Sequence, residues 1–200
     1  GIYVVGDYNI SELFKFGYGT KKIIILDGYF QSFLFANDKN LSIFKSHDYY
    51  SSFLLESSLK KRILSCSSVC LHLRHYDEDS SSRVHEVKEF YIKAVGILRH
   101  KIAKPMFFVF SDTTDFDISF LNLSSNEVVL VDSDKSVDPI SDIYLMSLCK
   151  YFIFTGSTFC YWSIYLSNDF KENVICSSLI LRDKHQCSNL PFYPSNWFLI

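Results

Sequence analysis

Arg74 and the run Gly156-Ser157-Thr158 have the clearest chemical use in this sequence. A guanidinium stays charged, and its planar fork matches phosphate oxygens two at a time. Ser157 and Thr158 stand where a helix is predicted to begin. The free N–H groups and dipole of a helix start suit a phosphate, and the two hydroxyls are further donors. Brought together, Arg74 and this turn would neutralise a diphosphate leaving group. Each also has a plainer use, Arg74 on a surface loop and Ser157 or Thr158 as an ordinary helix cap. Spacing alone leaves both uses open.

Other groupings are weaker. Asp115-Phe116-Asp117 and Asp132-Ser133-Asp134 have the Asp-x-Asp form with which metal-dependent sugar transferases hold Mg2+ or Mn2+ against a diphosphate. Solvated loops carry the same pattern by chance in a chain with 22 acidic residues. Cys66, Cys70 and His72 with His185 and Cys187 form a zinc set only on paper, because Cys70 falls inside a strand and no compact cysteine pairs occur. A Gly-x-Ser-x-Gly elbow, a Walker loop and a Gly-x-Gly-x-x-Gly turn are all absent. That argues against serine hydrolases, common kinases, GTPases and dehydrogenases.

The elements that must position these groups follow from hydrophobic period. Val69, Leu71 and Leu73 alternate with Cys70, His72 and Arg74, so a strand here is expected to bury the first set and to put His72 and Arg74 on one face. Further strands are predicted at 106–110, 128–131, 151–154 and 174–176, with an isolated one at 2–5 and an apolar run at 23–26 that ends at Asp27-Gly28. Val87, Tyr91, Ala94, Val95, Leu98 and Ile102 recur at helical spacing within 84–103, and Lys104-Pro105 stops that helix. A second helix is predicted from an Asp138 cap and Pro139 to about 150, and a third from 158 to about 166. Strands alternating with helices imply a parallel sheet covered by helices, an α/β fold. Arg74, Ser111-Asp112, Asp132 and Thr155-Gly156-Ser157-Thr158 each follow a strand, which puts polar groups on the edge where such sheets bind ligands.

Composition narrows the classes. The chain has 200 residues, 48% of them hydrophobic, enough for one good core. A net charge of −2 and a pI near 6.3 supply no basic field for nucleic acid or an anionic membrane. Six cysteines lie mostly inside apolar runs, which reads as buried thiols rather than a disulfide framework. The longest apolar stretch, 151–166, is broken by Thr155-Gly156-Ser157-Thr158 and falls short of the roughly 20 residues of a membrane helix.

The motifs also carry a resemblance. His72-Leu73-Arg74-His75-Tyr76-Asp77 resembles the His-x-Arg-Arg-x-Asp motif of the α1,2-fucosyltransferases, glycosyltransferase family 11. Gly28-Tyr29-Phe30-Gln31-Ser32 is similar to that family's Gly-Tyr-Phe/Trp-Gln-Ser block, and Phe107-Phe108-Val109-Phe110-Ser111-Asp112 to its Phe-Phe-Ile-Phe-Ser-Asp-Asp strand. Asp142-Ile143-Tyr144-Leu145-Met146-Ser147-Leu148-Cys149-Lys150 resembles its Asp-Leu-Tyr-Leu-Met-Ser-x-Cys-Lys helix. Gly156-Ser157-Thr158-Phe159-Cys160-Tyr161-Trp162 is similar to Asn-Ser-Ser-Phe-Ser-Trp-Trp, and Pro194-Ser195-Asn196-Trp197 to a closing Pro-x-x-Trp. The match runs from about residue 27 to 200 with the blocks in order.

The resemblance implies a GT-B-type fold with a Rossmann-like donor domain, GDP-β-L-fucose as donor, and inverting transfer to a galactose 2-hydroxyl of a glycan with no obligatory metal or other cofactor. By position Arg74 would hold the β-phosphate as the catalytic cation. His72, His75, Asp112 and Asp142 would line the donor pocket, Asp142 at the guanine, and Ser157 and Thr158 would complete the phosphate site. His75 stands where the family has a second arginine, so one charge becomes pH-dependent. Gly156 and Tyr161 replace Asn and Trp. The family's N-terminal Gly-x-Gly-Asn-Gln block is missing, so residues 1–58 are expected to be a remnant of the acceptor-side domain and 59–200 the GDP-fucose-binding domain. An inactive nucleotide-sugar-binding fragment and a metal-dependent transferase using Asp132 and Asp134 are the alternatives. A cytoplasmic location with at most peripheral membrane association is expected.

Overall fold

A computed structural model describes residues 2–6, 23–27, 57–74, 81–113, 117–131, 139–167, 173–179 and 193–200. In chain order the elements are β1 (Ile2–Gly6), β2 (Ile23–Asp27), α1 (Ser58–Ser65), β3 (Ser67–Leu73), α2 (Ser81–Lys101), β4 (Pro105–Ser111), a 3-10 turn (Ser119–Leu121), β5 (Val128–Leu130), α3 (Pro139–Ser147), β6 (Tyr151–Phe154), α4 (Thr158–Leu166), β7 (Val174–Cys176) and β8 (Phe198–Leu199). β1 and β2 form a two-stranded parallel sheet. The other six strands form one sheet in the order β5-β4-β3-β6-β7-β8, parallel throughout.

Both faces of the large sheet are covered. Val69 and Leu71 of β3, Phe107 and Val109 of β4, and Ile153 of β6 pack with Tyr91, Ala94, Val95 and Leu98 of α2. The alternate residues Cys70, Phe108, Phe110, Phe152 and Phe154 pack on the other face with Ile63 of α1, Leu145 and Met146 of α3, and Cys160, Tyr161 and Ile164 of α4. This arrangement corrects the two-faced reading of β3. Six of its seven residues are buried, Cys70 and His72 among them. A parallel strand between two helical layers has no wet face for its alternate residues.

Helix bounds shift for local reasons. α2 begins three residues before the predicted start at 84 and ends at Lys101; Ile102 N–H still bonds Leu98 O at 2.9 Å, and Lys104 turns the chain with a φ of 52° before Pro105 opens β4. α3 stops at Ser147 instead of about 150 because Lys150 is taken by β3: its N–H reaches Ser68 O at 3.1 Å and its Nζ reaches Cys66 O at 2.7 Å. β5 ends at Leu130, one residue short of the prediction, while β3 and β4 are longer. α1, β8 and the 3-10 turn were not foreseen. Asp138 lies outside the described residues. Among the described residues no helix is long and apolar enough to cross a membrane.

The strand order positions the site. From β3 the chain steps outward to β4 and β5, then returns to lay β6 on the other side of β3 and continues to β7 and β8. Connections therefore leave the β3–β6 pair in opposite directions. A crevice opens at the carboxyl ends of two such strands, and open α/β sheets use it for ligands.

Candidate functional site at the carboxyl ends of β3, β4 and β6

Three strand ends meet at this crevice. In register, His72 lies opposite Phe154 of β6 and Leu73 opposite Ser111 of β4. Arg74 follows β3, Asp112 follows β4, and Thr155-Gly156-Ser157 follows β6, so the three polar exits are neighbours by strand pairing. Arg74 and Asp112 are exposed. Among the described residues no hydrogen bond or ion pair engages the Arg74 guanidinium. Ser111 Oγ accepts from Thr113 N–H at 3.2 Å and shapes the turn that presents Asp112.

His72 is the unusual member. Its side chain is buried on the α4 face, with the ring centroid 6.3 Å from that of Phe159. Its Nδ1 has no hydrogen-bond partner among the described residues. Burial pushes the imidazole down to about 4; nearby Asp112 opposes that shift and Arg74 adds to it. His72 is therefore neutral at pH 7, with one ring nitrogen a donor and the other an acceptor. A buried polar atom without a partner among the described residues calls for an explanation, and a ligand is one candidate.

The end of β6 supplies the complementary half. Gly156 takes a φ of 105°, a conformation that glycine adopts without a Cβ clash. The Asn of the similar motif is the next most tolerant residue there, so this departure preserves the turn. Ser157 follows in extended conformation and is the N-cap of α4, and its carbonyl accepts from Tyr161 N–H at 2.9 Å. Its hydroxyl does not cap the helix, contrary to the plainer reading. The first-turn N–H groups of α4 have no acceptor within their own helix. No acidic residue lies in that turn to repel an anion. Thr158 is half-buried at the first helical position.

Of the remaining candidates, Asp142 lies half-buried in the first turn of α3. That helix joins the exit of β5 to the start of β6, which puts its amino-terminal end at the same sheet edge. His75, Asp115, Asp132, Asp134, His185 and Cys187 lie outside the described residues. Asp117 has a local role, since its carboxylate accepts from Ser119 N–H at 2.7 Å and Ser119 Oγ at 2.9 Å. The Cys70 thiol packs against those of Cys149 and Cys160, and burial pushes it well up, which makes it a poor nucleophile. The five described cysteines are free, and no three His, Cys, Asp or Glu among the described residues are grouped to hold a metal ion. Sequence reasoning missed Tyr91 as a site element. Its hydroxyl reaches the end of β3, but a tyrosine on the apolar stripe of a helix gives no signal beyond core packing.

No solved structure matches the chain. Among curated proteins it is similar to an α-1,2-colitosyltransferase of Escherichia coli, 30% identical over 116 residues, covering 53% of this chain and 39% of that relative. The chain thus spans well under two thirds of the length of the relative it matches. The family model for glycosyl transferase family 11 matches residues 8–199, nearly the whole sequence. That match spans most of a chain folded around a parallel α/β sheet, and this chain belongs to glycosyl transferase family 11.

Proposed function

We propose that the chain is the donor-binding part of an inverting fucosyltransferase that moves L-fucose from GDP-β-L-fucose to the 2-hydroxyl of a galactose in a glycan. The observation that carries this reading is the convergence of Arg74 and the amino terminus of α4 at the β3–β6 switch point. In the reaction the bond from fucose C1 to the diphosphate breaks while the acceptor oxygen bonds C1 from the opposite face; GDP leaves with the bonding pair, and the acceptor hydroxyl gives up its proton to solvent. Arg74 offsets the charge that builds on the β-phosphate. Ser157, Thr158 and the first-turn N–H groups of α4 take the remaining phosphate oxygens. Neutral His72 offers Nδ1 to the donor, with Asp112, Asp142 and His75 completing the pocket. No metal is required.

The reading includes a GT-B architecture, with 59–200 as the donor domain and 1–58 belonging to the acceptor side, in a cytoplasmic protein at most peripherally associated with membrane. The relative's name favours a second donor, a colitosyl nucleotide, at the same site.

Calorimetric titration with GDP-fucose, for the wild type and Arg74→Ala, tests the proposal. Binding by the wild type and its loss in the variant are expected. Absence of binding by a folded wild-type chain would sink it. A transfer assay with and without EDTA separates the alternatives: transfer lost on chelation moves the chemistry to Asp132 and Asp134, and binding without any transfer marks a nucleotide-sugar-binding fragment.

A further inference from the structure

Tyr91 is almost fully buried on α2, 1% exposed, among apolar neighbours. Phenylalanine would fill the same space, so the hydroxyl is the informative atom. It donates to the His72 carbonyl at 2.6 Å and lies 3.3 Å from Thr155 Oγ1. A phenol has one proton and a carbonyl can only accept, so the short bond uses that proton. Thr155 is then the donor to the phenol oxygen. The two bonds form a chain from the exit of β6, through α2, to the exit of β3.

The position of this chain matters. The ladder between β3 and β6 ends at the pair His72 and Phe154. Tyr91 extends the cross-link where that ladder stops. Arg74 is two residues beyond His72, and Ser157 is two residues beyond Thr155. Each bonded residue thus stands just ahead of one half of the anion site. Thr155 itself is buried, 2% exposed, which shields both bonds from competing water.

From this geometry we infer that Tyr91 is a positioning residue, whose hydroxyl fixes the separation between Arg74 and the amino terminus of α4 and so sets the grip on a diphosphate. The inference rests on the nucleotide reading above. Sub-ångström looseness at such a site is costly because both halves must reach one ligand together.

The test is GDP titration of the full 200-residue chain as wild type, Tyr91→Phe, Thr155→Val, the double variant and Val95→Ala, with hydrogen exchange read over the ends of β3 and β6. Val95 is buried on the same helix and touches neither strand exit through a polar atom, so it controls for simple loss of packing. Tyr91→Phe and Thr155→Val are each expected to weaken GDP about tenfold, the order of one hydrogen bond, with the double variant no weaker than either single one. Val95→Ala is expected to melt lower yet bind GDP as the wild type does. Exchange is expected to quicken at both strand exits in Tyr91→Phe but not in the middle of β4. Wild-type GDP affinity in Tyr91→Phe, or an equal loss in Val95→Ala, overturns the inference. A wild-type chain that takes no GDP overturns the nucleotide reading instead, and unchanged exchange at the two exits in Tyr91→Phe then removes the pin as well.

Discussion

Arg99 and Arg74 are the same side chain in opposite circumstances. Arg99, in the last turn of α2, gives Nε to Glu127 Oε1 at 3.2 Å and Nη2 to Glu127 Oε2 and to the Asn122 carbonyl, both at 2.8 Å. Glu127 also accepts from Ser124 N–H at 3.0 Å and Ser124 Oγ at 2.7 Å. These bonds to Arg99 and Ser124 hold the Glu127 carboxyl down at about 2. Arg99, Glu127 and Ser124 answer one another from within the chain, and they hold the turn that leads into β5. At the end of β3 the reverse holds. Among the described residues Arg74 has no hydrogen-bonded partner and neither has the buried Nδ1 of His72, and the Ser157 hydroxyl leaves its helix uncapped. A network closed on itself stabilises a fold, whereas an open one costs stability until a ligand closes it. Closure, more than residue type, distinguishes scaffold from site.

Arg74→Ala is the strongest way to break this contrast. GDP affinity is expected to fall by about a hundredfold or more, the scale of charge-assisted hydrogen bonds, while the melting temperature stays within about a degree or rises. A large drop in melting temperature without a change in affinity would mean that Arg74 is scaffold.

His72 sharpens the contrast through pH. Its folded pKa lies below the ordinary 6.5, at about 4, so the unfolded chain takes up the proton first. Stability from this group is complete above pH 6.5 and is lost as pH falls from 6.5 through about 4, an effect on the order of 3 kcal/mol. His72→Gln is expected to flatten that limb in urea melts recorded across this window, and an unchanged slope would place the titration elsewhere.

Arg99→Ala is expected to cost about 1 kcal/mol in a denaturant melt, since the pair is about one third exposed, and to leave GDP binding intact. Glu127 titrates below its ordinary 4.5, so its contribution is present above pH 4.5 and lost as pH falls toward about 2. The variant should shrink that acid limb to the part that the Ser124 bonds sustain; an effect on GDP would erase the distinction between the two arginines.

Ser157→Ala gives the smallest effect. Because the hydroxyl makes no cap, stability should change by less than about 0.5 kcal/mol instead of the roughly 1 kcal/mol usual for a lost serine cap. GDP affinity should weaken a few-fold, and a full capping loss in thermal melts would contradict the open geometry.

Much of the scaffold was readable in advance. β6, β7 and α4 have the bounds that their apolar runs predict, because short β-branched and aromatic runs between turn signals admit few other conformations. α1 was missed because a single residue, Ile63, is buried on it, too little to print a period against Lys60, Lys61 and Arg62. β8 was missed because its two exposed residues become a strand only by pairing with β7, more than twenty positions earlier. The family was legible from motif blocks spread across the chain, a signal that hydrophobic period does not contain.

Local pattern is enough to give the alternation of strand and helix, and it puts Arg74, Asp112 and Ser157 just after strands, because turn residues must follow buried runs. Tertiary structure decided the rest. That β3 and β6 are neighbours depends on a crossover returning from the edge of the sheet, which no local pattern encodes. That His72 is buried and neutral depends on α4 closing the second face. That Tyr91 joins two strand exits depends on one hydroxyl meeting a carbonyl 19 residues earlier and a threonine 64 residues later. Local chemistry sets which elements form; long-range packing sets which polar groups are left open to a ligand.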